Sequence, residues 1–368
     1  MPATKIVHLV YSFGIGGLER VIVNLVNCSA HKDVEHHIVT LIDDHEFESQ
    51  LHGNSVLHCL HKREGKDLHC HFRLFKLLRE IKPDVMHTYN FGTIEYHPIA
   101  FLAGVPVRVH AEHGRESSYK KIDNPSRYET FRKMMIPFIN HFVVVSKDLE
   151  SWGREKLGLD KKLKLVFNGI DLKQFDRKQQ DASSNEESEK FTFVSVGRLV
   201  DVKNHELLID AFAKATKQDA KVQAAQLLIV GDGPNRKALS EKIEALELSN
   251  SIHLLGNRND IPVILNLSNV FVLSSRYEAM PMTALEAMAC RLPVIAPDVG
   301  GVSFILKHQQ NGLLVEANSV AALSDALISA VNDRQKFIEM GLTGRQMVEK
   351  SFSVESMTEA YFSLYEMA

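Results

Sequence analysis

Cysteine is scarce: four residues (Cys28, Cys59, Cys70 and Cys290) in a chain of 368. That is too few for a disulfide scaffold and fits a reducing cytoplasm. Long apolar runs are missing too. No stretch approaches the eighteen consecutive apolar residues of a spanning helix. Met1-Pro-Ala-Thr-Lys5 has no basic region, apolar core or cleavage site of a signal peptide, so a cytoplasmic location is expected. Net charge is small, with 43 Lys and Arg against 46 Asp and Glu. Together with the lack of a recognisable binding module, this argues against nucleic-acid partners. What is present, 45% hydrophobic and 24% charged residues, is ordinary for a soluble globular protein long enough for two domains.

The charge is unevenly placed. Basic residues exceed acidic ones by 3 over residues 1–170, acidic exceed basic by 6 over the rest, and fifteen of the eighteen histidines lie in the first part. Two tracts concentrate the cations: Lys66 to Lys82, with Arg73, Lys76 and Arg79, and Lys120 to Lys133, with Lys121, Arg127 and Arg132. The first interleaves Leu68, Phe72, Phe75 and Leu78 at helical spacing. Such a helix either lies on an anionic membrane surface or packs its apolar face on a sheet.

Strand-like runs at 5–10, 37–42, 84–87, 106–110, 141–145 and 163–167 alternate with helical patterns such as 17–28 and 70–80. Arg177 to Lys190 is then almost devoid of apolar residues and reads as a solvated linker. The pattern restarts with strands at 191–196, 226–230, 251–255, 270–273 and 293–296. Helices fall between them at about 204–217, 235–246, 283–290 and 319–331, with a last helical segment at about 353–366. This predicts an α/β protein of two facing Rossmann-like domains with a deep ligand cleft between them.

The most chemical segment is Ser275-Arg-Tyr-Glu278-Ala-Met-Pro-Met-Thr-Ala-Leu-Glu286, in which seven residues separate two carboxylates. Glu278 is expected in the loop above a strand's carboxyl end, with the N–H groups of Ala279 to Thr283 near an open helix N-terminus. Glu286 has a second reading, because Thr283 followed by Glu286 has the spacing of a capping box.

Glycine-rich loops occur in both halves. Gly14-Ile-Gly16-Gly17-Leu-Glu19-Arg20 follows the first strand; Glu19 stands where a dinucleotide fingerprint has its third glycine, which disfavours nicotinamide or flavin. Gly197-Arg198 and Lys203-Asn204 place two cations at a helix start, suited to a diphosphate. Gly231-Asp-Gly-Pro234 and Gly256-Asn257-Arg258 also follow strands. His113, in Glu112-His113-Gly114-Arg115, is placed to hold a sugar hydroxyl or orient an acceptor, while His110 one step inside the strand reads as core. His58-Cys59-Leu-His61 and His69-Cys70-His71 are dense in potential metal ligands, but adjacent side chains diverge, and no metal is expected.

In order and spacing these motifs, with Asn168-Gly-Ile-Asp171, resemble the retaining glycosyltransferases of family 4, which have the GT-B fold. The resemblance covers essentially the whole chain and is strongest from 191 to 315. The amino-terminal half looks like transferases of bacterial surface or exopolysaccharide assembly. The resemblance implies domains at 1–170 and 171–350, with a C-terminal helix, 351–368, crossing back to the first. It implies a nucleoside diphosphate sugar donor of UDP or GDP type and a glycan or lipid-linked glycan acceptor. It also implies that Glu286 holds the ribose hydroxyls, while Glu278 and the backbone from Ala279 through Met280 and Pro281 to Met282 hold the donor hexose. Arg198 and Lys203 would neutralise the diphosphate, Gly16 and Gly17 would approach it, Arg258 would frame the base and His113 would contact the donor sugar. No cofactor or essential metal is implied. The chain departs from the family in having Ala279-Met280-Pro281-Met282 where a glycine-phenylalanine-glycine type of loop is common. A sugar-nucleotide epimerase of similar fold and a non-catalytic nucleotide-sugar or glycan-binding protein are the alternatives.

Overall fold

The computed structural model describes residues 3–14, 16–114, 125–176 and 190–366. Arg115, Lys120, Lys121 and nearly all of the polar linker lie outside them. The chain divides into two compact units, Met1–Gly169 with Val354–Ala368, and Ile170–Ser353. The division falls inside Asn168-Gly-Ile-Asp171. There Gly169 O accepts from Asn24 Nδ2 at 3.1 Å in one unit, and Ile170 bridges Ser353 in the other. Residues 351–353 therefore stay with the second unit, and the helix Val354–Glu366 joins the first.

Among the described residues the first unit has a seven-stranded parallel sheet in the order β3-β2-β1-β4-β5-β6-β7. Its strands are β1 (Thr4–Val10), β2 (Val34–Thr40), β3 (Ser55–Cys59), β4 (Val85–Tyr89), β5 (Val107–Glu112), β6 (His141–Val144) and β7 (Leu163–Leu165). The second has six parallel strands in the order β10-β9-β8-β11-β12-β13. These are β8 (Thr192–Val196), β9 (Gln226–Val230), β10 (Ile252–Gly256), β11 (Val270–Val272), β12 (Val294–Pro297) and β13 (Gly312–Val315). Sequence periodicity misses β3 and β13. Both are short edge strands, of five and four residues, held by pairing to a neighbour. The order of the second sheet reverses between β8 and β11, and the loops after those two strands carry the cations and Glu278. That is where open α/β sheets bind ligands.

The two cores differ in chemistry. The second is an apolar cluster built on Phe193, Phe212, Leu227, Ile229, Val270 and Leu327. Through the first runs a buried polar chain. Ser29 Oγ meets His36 Nε2 at 2.8 Å, His36 Nδ1 meets His8 Nε2 at 3.0 Å, and His8 Nδ1 meets the Tyr89 hydroxyl at 2.8 Å. Tyr89 and Tyr365 both reach His87 Nδ1, at 3.0 and 2.8 Å, tying the last helix to the sheet. Burial keeps these imidazoles neutral, lowering His8 and His87 well below the usual histidine value and His36 to about 4. Helix Leu68–Ile81 packs Cys70, Leu74, Leu78 and Ile81 inward and leaves Leu68 and Phe72 exposed.

Candidate functional site

The loop after β8 is held from both sides. Gly197 N donates to Val230 O at 2.9 Å, Leu199 N to Asp232 O at 2.9 Å and Asn235 N to Leu199 O at 3.0 Å. Gly231 sits at φ 130°, and a Cβ there would run into the Gly197 carbonyl oxygen. Only glycine lets these backbones approach so closely. The arrangement leaves Arg198 exposed, its carbonyl accepting from Val200 N at 2.9 Å and its guanidinium without a hydrogen bond or ion pair among the described residues.

Lys203 lies in the short turn Asp201–Lys203 that leads into helix His205–Gln218. Its Nζ donates to Glu278 Oε1 at 2.6 Å. The same oxygen accepts from Ser275 Oγ at 2.6 Å. Both recorded bonds of this buried carboxylate thus end on Oε1. Further ties join the two loops: Arg276 N donates to Val202 O at 2.8 Å, Ser274 Oγ to Lys203 O at 2.9 Å, and Arg276 Nη2 to Asn204 Oδ1 at 3.2 Å. On the other side Gly301 N donates to Glu278 O at 2.8 Å. Gly300, at φ 54°, leaves no room for a Cβ against that same oxygen. Sequence reasoning missed Ser275, Arg276 and this glycine pair. The Gly300-Gly301 doublet just after a strand was the available signal.

Helix Met282–Ala289 begins with Pro281 as its N-cap and has no side-chain cap. Thr283 is therefore inside the helix, and the capping box expected for Thr283 and Glu286 does not form. Glu286 is buried on the helix, at 7% exposure, so its place is not explained by capping. The amides of Ala279, Met280, Met282 and Thr283 donate no hydrogen bond in the described structure; those of Met282 and Thr283 lie in the helix's first turn, where no carbonyl of the helix can accept them. Pro281 has no amide proton, so it shapes the turn and adds no donor. Ala279, Met280 and Met282 are buried, so the bulk that replaces glycine and phenylalanine turns inward.

Other predicted residues lie elsewhere. Arg258 is exposed and held by Asp260 through two bonds of 2.8 and 2.6 Å. Burial, with Lys203 adding to it, lowers His205 to about 4. A cavity of about 530 Å³ beside it is lined by Asp201, Asn204, His205, Asn235 and Arg276, and by none of the residues predicted from sequence. In the first unit Gly16 is the extended N-cap of helix Gly17–Cys28, which starts at Gly17. His113 follows β5, its N–H donating to Asn90 Oδ1 at 2.8 Å. Both ring nitrogens are shielded and unpartnered, and burial lowers the ring to about 4, so it is neutral near pH 7. Arg132, from the second basic tract, is buried, with Nε 2.6 Å from Glu112 Oε1.

Residues 15–174 match the family described as Glycosyltransferase Family 4, and residues 176–347 match Glycosyl transferases group 1. The chain is 30% identical over 311 residues to the Escherichia coli UDP-Gal:alpha-D-GlcNAc-diphosphoundecaprenol alpha-1,3-galactosyltransferase, covering 82% of this chain and 79% of that protein. This chain is a family 4 glycosyltransferase. The transferase is also 23% identical to the lipopolysaccharide core biosynthesis glycosyltransferase LpsD of Rhizobium meliloti, with 98% of each chain covered. Its fold matches the solved structure of Anabaena HepE in complex with UDP and glucose at a TM-score of 0.85, with 18% identity over 99% of this chain and 100% of that one. The fold class is thus GT-B, with two parallel-sheet Rossmann-like domains. Within the transferase, Arg198, Lys203, Glu278 and the amides after it belong to one unit, and Gly16, Gly17 and His113 to the other.

Proposed function

We propose that the transferase moves a hexose from a nucleoside diphosphate sugar to a hydroxyl of a lipid-linked glycan, with retention at the anomeric carbon. The observation that carries this reading is the 2.6 Å contact between Lys203 and Glu278 beside unbonded helix-start amides. Cations for a diphosphate and a carboxylate for sugar hydroxyls meet at one sheet switch point. Arg198 and Lys203 stabilise the charge that develops on the leaving diphosphate, the work for which prepositioned donors are most effective. Glu278 offers its second oxygen to the sugar, and Glu286 holds the ribose. The first unit's share is Gly16, Gly17 and a neutral His113 that contacts the donor sugar. The acceptor hydroxyl attacks from the face the diphosphate leaves, and the leaving phosphate takes its proton. With two side-chain cations on the diphosphate, no divalent ion is assigned to this step.

UDP sugars are the first donors to test, since the E. coli relative is named for UDP-Gal and the Anabaena structure holds UDP. An undecaprenyl-diphosphate glycan is the first acceptor on the same ground. Glu286→Ala is expected to weaken donor binding about 10-fold or more, and Arg198→Ala chiefly to lower turnover, read by calorimetry and diphosphate release. Wild-type transfer in both variants would end the assignment.

Membrane contact belongs to the same reading. Leu68 and Phe72, at 79% and 68% exposure, stand with exposed Lys76 and Arg79 on a helix that packs against helix His97–Ala103, where Phe101 and Leu102 are exposed. Exposed apolar side chains beside cations suit an anionic lipid surface. Among the described residues no helix is long and apolar enough to cross a membrane. Phe72→Glu is expected to abolish co-sedimentation with phosphatidylglycerol vesicles while transfer to a water-soluble acceptor persists.

A further inference from the structure

Strand β3 ends at Cys59, which pairs in register with Thr40 at the end of β2, so the loops leaving the two strands start side by side. Those loops carry Asp43 and His45 on one side and His61 on the other. One ligand atom from each of Asp43, His45 and Cys59 lies within 4.8 Å of the others. His45 Nδ1 is 3.4 Å from Asp43 Oδ1, and His61 Nδ1 is 3.4 Å from Cys59 Sγ. We propose that Asp43, His45, Cys59 and His61 form a transition-metal site that takes Zn²⁺.

Three features build the site. The Thr40 hydroxyl donates to His58 O at 3.3 Å and so accepts from His45 Nε2–H at 3.1 Å. This leaves the His45 Nδ1 lone pair facing Asp43, as an outer hydrogen bond does for a metal-bound histidine. The His61 N–H donates to Cys59 Sγ at 3.4 Å, which fixes where the sulfur points. His61 holds a left-handed φ of 47°, unusual for a side-chain-bearing residue, and this turns its ring back toward Cys59. A carboxylate, two imidazoles and a thiolate suit four-coordinate Zn²⁺ rather than Mg²⁺ or Ca²⁺. With bonds of about 2.0–2.3 Å, closure draws the Asp43, His45 and Cys59 ligand atoms in from their spacing of up to 4.8 Å, and His61 joins them from its place beside Cys59. Binding displaces the Cys59 thiol proton to solvent. Phe13 N donates to Asp44 O at 2.8 Å, so the ion would steady the loop behind the Gly14–Gly17 turn. The sequence argument against a metal considered neighbours along one strand, and the partners come from the adjacent one.

Titration of the metal-stripped full chain with Co²⁺ tests this. One equivalent is expected to give the strong visible bands of four-coordinate Co²⁺ and a thiolate charge-transfer band in the near ultraviolet, both removed by Zn²⁺. Cys59→Ser loses the charge-transfer band and Cys28→Ser keeps it. Asp43→Asn and His45→Gln weaken binding at least about 10-fold, and Thr40→Val about 10–100-fold. Zn²⁺ raises the melting temperature of the wild type and leaves that of Cys59→Ser unmoved. A wild type without the charge-transfer band, or a Cys59→Ser variant that retains it, overturns the site.

Discussion

The two units use the same sheet plan around an apolar core, but the first also threads a chain of histidines through it. In the second, strands β8, β9 and β11 fill the core with phenylalanine, leucine, isoleucine and valine, and the cations and Glu278 lie in the loops at the switch point. In the first, the central strands β1, β4 and β5 carry His8, His87 and His110 into the core at 0% exposure. An apolar core tolerates any pH, and its unit can gather charge at one edge. A core threaded with neutral histidines holds its polar groups only while they stay uncharged. The histidines lowered by burial therefore gather mainly in the first unit, with His205 their counterpart in the second.

The largest expected effect lies at the loop edge. Lys203→Met removes the cation from buried Glu278, and turnover is expected to fall about 10²–10³-fold in a diphosphate-release assay, with the apolar core unmoved. Next comes the glycine that lets the second unit's loops pack: Gly231→Ala forces a side chain into the Gly197 carbonyl at φ 130° and should cost about 2–3 kcal/mol in that unit. Hydrogen exchange should locate the loss in β8 to β10.

Acid sharpens the comparison from the other side. A histidine with a depressed folded pKa binds its proton more readily unfolded, so stability is full above about 6.5 and falls with pH until the folded value is reached. For His36 and His113 that window runs from about 6.5 down to about 4, at up to about 1.4 kcal/mol per pH unit for each. The sole tryptophan, Trp152, lies in the first unit, so its fluorescence reports that unit alone. The fluorescence transition is expected to move to lower temperature across this window, ahead of the second unit followed by hydrogen exchange. Coincident transitions at every pH would dissolve the contrast. Smallest is Arg258→Ala. Its guanidinium is exposed and already bound to Asp260, so stability should change by less than about 0.5 kcal/mol, and any rise in donor Kd then measures a base contact alone.

Much of this was legible in the chain. Periodicity located most strands and helices, because apolar alternation and helical spacing are local properties. Glycines after strands, the Arg198 and Lys203 cations and the Glu278–Glu286 segment were readable for the same reason. Each rests on a few neighbouring residues. The capping role for Glu286 was a local inference that failed, since the helix starts two residues earlier than the Thr283 spacing requires.

Sequence by itself thus determined the elements, the doubled α/β plan and the residue types at the loop tips, since these depend on short-range sterics and patterning. Only the tertiary structure decided that Lys203, 75 residues from Glu278, and Ser275 donate to the same oxygen of that glutamate. It also decided that Arg132 is buried against Glu112 and that the first unit's histidines join end to end. Such contacts depend on strand order and register, which bring distant residues together through space and leave no period in the chain.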